Sequence, residues 1–358
     1  MRQPHRLPDF PWDRLAPYGG RARAHPGGIV DLSVGTPVDP TPAVLTTALQ
    51  AAADAPGYPL TAGTPALRAA AAGWLTRSLG APAGTAVLPT VGSKELVALL
   101  PSLLGVRGDV LVPELAYPTY EVGALLAGAR PVREWTDDVA LVWLNSPANP
   151  TGHVSDADTL RAVVARARAV GAVVVSDECY IELGYGASPP VSLLSVLGGD
   201  LSGVLAVHSL SKRSSAAGYR LGLVSGDAAL VGELLEVRKH AGLIVPAPVQ
   251  AAGVAAFSDD GHVATVRSTY AARRERLVAA FTAAGWRSDS GPAGLYLWLT
   301  RDEPCWQSVA ALAELGVLVA PGEFYGPAGA RHVRVALTAT DERVDAAVHR
   351  LASAPRPR

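Results

Sequence analysis

Five short runs rich in Val, Ala and Leu, at residues 110–113, 140–144, 172–176, 204–209 and 221–225, restrict this chain more than any other feature. They are near-continuous rather than alternating, so strands built from them bury both faces. Stretches of helix-forming composition lie between them, at 120–127, 157–170 and near 191–197. Buried strands separated by helices describe an α/β fold, a mainly parallel sheet covered on both sides. In such sheets ligands bind beyond the carboxyl ends of the strands. Four of those ends carry polar residues: Tyr117, Asn145 to Asn149, Asp177 to Tyr180, and Ser209 to Lys212.

The flanks read differently. Residues 1–40 are rich in Pro and Gly and suggest an extended arm and loop. Helices are expected at 42–53, 66–79 and from Gly92 to 104, the first opened by Thr41-Pro42. Beyond Asp227 a helix at 229–240 meets a Pro-containing hinge at 242–248, with further helices at 249–257, 262–284 and 306–315. Apolar runs at 294–299, 317–320 and 332–337 alternate with them, the pattern of a smaller α+β domain. The expected organisation is an arm at 1–45, a large domain at 46–240 and a small domain at 241–358.

Composition removes several function classes. With 49% apolar and 18% charged residues, the 358-residue chain can bury a large core. A net charge of −1 with both signs interspersed recruits neither nucleic acid nor an anionic membrane surface. No uncharged apolar run is long enough to span a bilayer, and the amino terminus lacks the apolar centre of a signal peptide. Cys179 and Cys305 lie far apart without metal-ligand spacing, so a reduced cytoplasmic protein is expected.

Lysine usage points to chemistry. Lys and Arg together number 31, yet the lysines are only Lys94, Lys212 and Lys239. A guanidinium stays protonated, whereas an amine can lose its proton and attack an aldehyde to form a Schiff base. Lys212 follows a strand end, where an ordinary loop lysine would also be at home. A pyridine aldehyde carrying a phosphate would make further demands. Asp177 is placed to keep a ring nitrogen protonated. Asn149 and Tyr180 can donate to a phenolic oxygen, and Tyr117 can stack on the ring. Gly92 and Ser93, opening a helix, with Ser209 and Arg220, offer a phosphate seat. Each residue also has a plain alternative: Asp177 a helix cap, Tyr180 core, Asn149 a turn residue, Arg220 a surface charge.

Asn145-Ser-Pro-Ala-Asn149-Pro-Thr-Gly152, Asp177-Glu-Cys-Tyr180 and Ser209-Leu-Ser-Lys212 with Arg220 resemble the fold-type I pyridoxal-phosphate aminotransferases of class I/II. The likeness runs in order from Gly35-Thr36-Pro37 through Tyr58, Gly92-Ser93-Lys94-Glu95 and Tyr117-Pro118 to Arg334. It implies a seven-stranded sheet in the large domain and pyridoxal 5'-phosphate held by Tyr58, Gly92, Ser93, Lys94, Tyr117, Asn149, Asp177, Tyr180, Ser209, Ser211, Lys212 and Arg220. Lys212, Asp177 and Tyr180 would be catalytic. The resemblance further implies a homodimer in which Tyr58 reaches the neighbouring subunit's cofactor phosphate. Arg334 would hold the substrate α-carboxylate, with Asn149 and the Gly35 backbone.

The finer texture, Tyr58-Pro-Leu-Thr-Ala-Gly-Thr-Pro-Ala-Leu-Arg68 and the small residues Ser214 to Ala217, is similar to the actinobacterial N-succinyldiaminopimelate aminotransferases of lysine biosynthesis. The implied reaction passes an amino group between N-succinyl-LL-2,6-diaminopimelate and 2-oxoglutarate. Ser214, Ser215 and Gly63 would leave room for the far end of that substrate, with Lys94, Arg21 and Arg23 as candidate partners for its carboxylates. Alternatives are an aminotransferase of another amino acid and a carbon–sulfur β-lyase on the same fold. A pyridoxal-phosphate-binding regulator would need a DNA-binding module for which no segment is spare, and a dinucleotide-binding dehydrogenase would need a Gly-x-Gly-x-x-Gly that the first strand lacks.

Borohydride treatment of the yellow holoprotein should fix the cofactor on the peptide containing Lys212; label on Lys94 or Lys239 would overturn the assignment.

Overall fold

The computed structural model describes residues 7–353. Its central sheet has seven strands in the order Ala86–Thr90, Gly222–Gly226, Val204–Ser209, Val173–Asp177, Val139–Asn145, Asp109–Leu111 and Arg130–Val132. Gly222–Gly226 runs antiparallel to both neighbours and the other pairings along the sheet are parallel. The five expected runs are all present as strands, displaced by two residues or fewer at each end. The two strands that composition hid are the edges, and each contains a proline, Pro89 or Pro131. Proline cannot donate to a ladder, so it suits an edge and weakens the sequence signal there.

One face of the sheet packs against the helices Pro65–Leu79, Ala157–Ala169 and Ala247–Ser258 through Trp74, Leu160, Val174, Ala206 and Phe257. The other face packs against Gly92–Leu103 and Thr119–Leu126 through Leu96, Leu100, Tyr120, Trp143 and Val207. A third core lies around the antiparallel strands Ala320–Pro321, His332–Ala336, Tyr296–Thr300 and Arg287–Ser288, covered by Gly261–Ala283, Cys305–Glu314 and Asp341–Ala352. Val30–Asp31 pairs in parallel with Val317–Leu318, which brings the amino-terminal segment into this third core.

Two expectations about the flanks change. Residues 11–23 are not extended: a 3₁₀ turn, Pro11–Leu15, runs into a helix, Ala16–Arg23, that packs on Cys305–Glu314. Pro17, Gly19 and Gly20 suppress its intrinsic propensity, and burial of Leu15 and Ala22 supplies what propensity does not. The change of core does not fall at residue 240 either. Val245, Ala252, Ala256 and Phe257 share the core of the seven-stranded sheet, so the helix Ala247–Ser258 packs with the large unit. No helix among the described residues is long and apolar enough to cross a membrane.

A buried ion pair ties the sheet's helices to the connection between the units. Arg238, fully buried in the helix Ala228–Ala241, donates to both carboxylate oxygens of Glu95 at 2.9 and 3.2 Å and to the Leu243 carbonyl at 3.3 Å. Glu95 sits in the first turn of Gly92–Leu103. Removing one partner of such a pair strands the other charge. Arg238→Met should lower unfolding stability by about 3 kcal/mol, the low end for a buried pair because Glu95 keeps some contact with water. Denaturant unfolding at fixed protein concentration checks this, and an unshifted midpoint would contradict it.

Candidate active site

The carboxyl ends of the parallel strands open onto a cavity of about 880 Å³. Its walls include Ser93, Lys94, Tyr117, Asn149, Asp177, Tyr180, Ser209, Ser211, Lys212, Arg220, Gly35 and Arg334. Thus residues spread over 300 positions of sequence meet in one place.

Lys212 lies in a single helical turn, Leu210–Arg213, directly after the strand Val204–Ser209. Its amine donates to the Gly35 carbonyl. Burial lowers the lysine's pKa, which favours the free amine that a carbonyl reaction requires. Asp177 ends the strand Val173–Asp177 and is 6% exposed. Its carboxylate accepts from the Tyr120 hydroxyl at 2.7 Å and from the Cys179 backbone N–H at 3.1 Å. Burial raises its pKa against the pull of those donors, so a cationic ligand group beside it would be welcome.

A buried charge of opposite sign lines the same cavity. Arg334, 3% exposed, donates to Asn149 Oδ1 at 3.0 Å and to the Ser33 carbonyl at 2.7 Å. Its guanidinium lies over the Tyr296 ring, 3.8 Å from the centroid, and its Nε has no partner among the described residues. An orphaned buried donor on a cation suits an anionic ligand. Because Asn149 Oδ1 is engaged, its amide nitrogen is the group left to donate to a ligand. The Asn149 backbone N–H is held by Asn145 Oδ1 at 2.7 Å.

Phosphate-binding features gather at the start of Gly92–Leu103. Gly92 has φ +73°, and a Cβ there would collide with the Arg220 guanidinium, so glycine lets the cation lie against the helix start. Arg220 itself is left-handed, φ +54°, and donates to the Ala217 carbonyl at 3.1 Å. Ser209 Oγ donates to Ser211 Oγ at 2.9 Å, bringing two hydroxyls to the same corner. A helix N-terminus, a guanidinium and serine hydroxyls form a cradle for a phosphate dianion. The buried Asp177, the orphaned Arg334 Nε and this cradle fit a phosphorylated pyridine aldehyde together with an amino acid.

Tyr58 takes no part in the cavity of its own chain and is fully exposed. Ser214, Ser215, Gly63, Arg21 and Arg23 do not line the cavity. Ser214 is buried against His262, and Ser215 Oγ donates to the Asp39 carbonyl at 2.8 Å, turned inward by a φ of +45°. Gly63 packs on Pro89, and Arg21 pairs with Glu314. The far wall comes instead from Leu7, Phe10, Trp12 and Val34, with the Lys94 ammonium 5.7 Å from the Phe10 ring centroid.

Tyr120 and Tyr296 escaped the sequence reading. Tyr120 carries no motif, because its role depends on where the helix Thr119–Leu126 docks. Tyr296 lies in an apolar run that reads as plain strand. Its hydroxyl is 3.3 Å from that of Tyr180. Burial alone would raise the Tyr296 pKa, but Arg334 and Lys212 bring it down.

Similarity to known proteins agrees with this geometry. A transaminase of Streptomyces rimosus named for 4-dedimethylamino-4-oxo-anhydrotetracycline, OxyQ, is 59% identical over 356 residues, 96% of this chain and 99% of the relative. The probable aminotransferase Rv1178 of Mycobacterium tuberculosis is 59% identical over 357 residues, 96% of this chain and 85% of the relative. The solved N-succinyldiaminopimelate aminotransferase of Mycobacterium tuberculosis superposes with a TM-score of 0.85 at 27% identity, covering 95% of this chain and 96% of that one. Residues 28–351 match the aminotransferase class I and II family. The chain therefore belongs to that family, with a fold-type I architecture, and is a pyridoxal-phosphate-dependent aminotransferase acting on amino and keto acids.

Proposed function

We propose that this aminotransferase exchanges an amino group between glutamate and N-succinyl-LL-2,6-diaminopimelate in lysine and diaminopimelate biosynthesis, as a cytoplasmic homodimer. One observation carries the choice of a long dicarboxylic substrate. Apart from Lys212 and Arg220, the cavity holds two cations, Arg334 and Lys94, on different elements. Arg334 takes the α-carboxylate that every amino-acid substrate has, and Lys94 meets a carboxylate further along. The likeness to the succinyldiaminopimelate enzyme supports the same reading.

Within it, the bound cofactor supplies an aldehyde for the substrate amine and a ring that accepts electrons from the α-carbon. The chain's residues do the rest. Asp177 holds the ring nitrogen's positive charge, with Tyr120 fixing the carboxylate. Tyr117 would cover the ring, and Asn149 and Tyr180 would donate to its phenolic oxygen. The Gly92, Ser93 and Lys94 amides with Ser209, Ser211 and Arg220 hold the phosphate, joined by Tyr58 of the partner subunit. Lys212 would hold the aldehyde, and its free amine would move the proton at the substrate α-carbon. Gly35 and Asn149 orient the carboxylate on Arg334. Organisation follows the packing: an arm, a large unit extended to about residue 258, and a small unit beyond it.

A second reading has its own observation. Leu7, Phe10, Trp12 and Val34 make the far wall apolar, and OxyQ is named for a polycyclic ketone. A flat aromatic ketone as amino acceptor would suit that wall.

Two measurements test these readings. The first is kcat/KM with 2-oxoglutarate for succinyl-diaminopimelate, aspartate, alanine, phenylalanine and kynurenine, together with glutamate-driven amination of an anhydrotetracycline ketone and pyruvate release from cystathionine. Succinyl-diaminopimelate should lead. Another substrate ahead by tenfold, about 1.4 kcal/mol of transition-state preference, would overturn that choice. The second is mixing Tyr58→Phe with Lys212→Ala. Hybrid dimers with shared sites contain one site free of both changes, so activity should exceed that of either variant. No gain after verified subunit exchange would contradict sharing.

A further inference from the structure

The turn that carries Lys212 cannot hold itself. Leu210–Arg213 is four residues, and an isolated helical turn is unstable because its nucleation is unfavourable. Its placement therefore rests on anchors at both ends. At the start, Ser209 Oγ accepts from the Ser211 N–H at 3.1 Å. At the end, Arg213 pairs with Glu182 and donates to the Ala256 carbonyl at 3.2 Å. Directly after it comes Ser214, whose N–H donates to the Leu210 carbonyl at 3.1 Å and whose side chain is wholly buried.

Ser214 Oγ lies 2.8 Å from His262 Nε2, and His262 Nδ1 lies 2.9 Å from Asp259 Oδ2. This is a Ser–His–Asp hydrogen-bond chain, but no ligand can reach its serine, so it is not a nucleophile. Its direction is fixed by Asp259, which also accepts from the backbone N–H groups of Gly261 and His262 at 3.0 and 3.2 Å. A carboxylate facing Nδ1 makes that nitrogen the donor. In a neutral imidazole Nε2 must then accept, and Ser214 must donate. His262 opens the long helix Gly261–Ala283, which covers the third core. The chain thus joins the end of the lysine turn to a different packing unit.

We propose that Ser214, His262 and Asp259 form a proton-sensitive clamp that positions the Lys212 turn and so governs how firmly the cofactor is held. The clamp satisfies both partners only while His262 is neutral. A second proton on the ring turns Nε2 into a donor, and the Ser214 hydroxyl proton then loses its acceptor inside the protein. The charged groups around the ring are Asp259 on its own helix start, Arg213 and Glu182 from the lysine turn and its neighbour, and Asp260, paired with Arg77 at 2.9 Å. Burial, aided by Arg213, holds His262 below its ordinary value of 6.5 despite Asp259. The unfolded chain therefore takes up the proton first, and the clamped state loses stability as pH falls through and below that value. Ser214, His262 and Asp259 are positioning residues, and the inference is independent of which substrate is used.

Release of bound pyridoxal phosphate from the holoenzyme, followed by its visible absorbance after dilution between pH 5 and 8, tests the clamp. Wild-type release should accelerate about tenfold on acidification, roughly the equilibrium worth of one buried hydrogen bond, with a midpoint below the ordinary histidine value of 6.5. His262→Gln keeps an acceptor for Ser214 but cannot take the proton, and its release should lose this midpoint. Asp259→Asn removes the stabilising charge at a half-exposed position, so the fold persists and the midpoint should move to lower pH. Thermal unfolding of the cofactor-free protein should show the same displacement. A wild-type profile without the step, or a midpoint unmoved by Asp259→Asn, overturns the proposal even if His262→Gln fails to fold.

Discussion

Two buried charges of opposite sign, Asp177 and Arg334, face one cavity without pairing with each other or with any other ion among the described residues. Each has only neutral donors or acceptors. Burying an ion on those terms is unfavourable, and the surrounding fold exists to enforce it. The sheet delivers Asp177 at a strand end, and Tyr120 reaches it from the helix Thr119–Leu126. The antiparallel strand His332–Ala336 delivers Arg334, stacked over Tyr296 and Tyr325. On the proposed function, a pyridinium nitrogen would complete the first charge and a substrate carboxylate the second. The cofactor carries the one group and an amino-acid substrate the other, so binding both there would relieve an electrostatic penalty built into the folded protein.

Lys212 lines the same cavity; burial lowers its pKa, and its amine donates to the Gly35 carbonyl. Its segment is too short to be stable alone, which explains the density of contacts behind it. Arg213, Ser214 and Ser215 each reach a different element: the Glu182 segment, the helix start at His262, and the amino-terminal strap at Asp39. Arg273 then grips Asp39 with two hydrogen bonds of 2.7 and 2.6 Å. Placement of one amine is distributed over the amino-terminal segment, the large sheet and the carboxyl-terminal core.

Much of this was legible in the chain itself, and the reasons are local. A near-continuous apolar run ending in Ser209-Leu-Ser-Lys212 announces a buried strand and a site at its end, because both features are contiguous in sequence. The arrival of Asp177 and Asn149 at the same cavity was readable for the same reason. Tyr120 and Tyr296 were not, since their hydroxyls matter only after a helix docks or a strand from the other unit arrives. Ser214 and Ser215 misled for a related reason: small residues beside a strand-end lysine suggest space, whereas Ser214 is buried against His262 and Ser215, at φ +45°, donates to the Asp39 carbonyl. The helix Ala16–Arg23 was hidden by Pro17, Gly19 and Gly20, and the edge strands by Pro89 and Pro131. In those places tertiary burial outweighs local propensity.

The claim that Asp177 is an unpaired buried carboxylate completed by the cofactor's ring is open to direct measurement. With pyridoxal phosphate labelled with ¹⁵N in the ring, the chemical shift of that nitrogen reports its protonation in the holoenzyme. The account predicts a nitrogen that stays protonated at neutral pH in the wild type and loses its proton in Asp177→Asn. An unprotonated ring nitrogen in the wild-type holoenzyme, or a shift indifferent to Asp177→Asn, would contradict it.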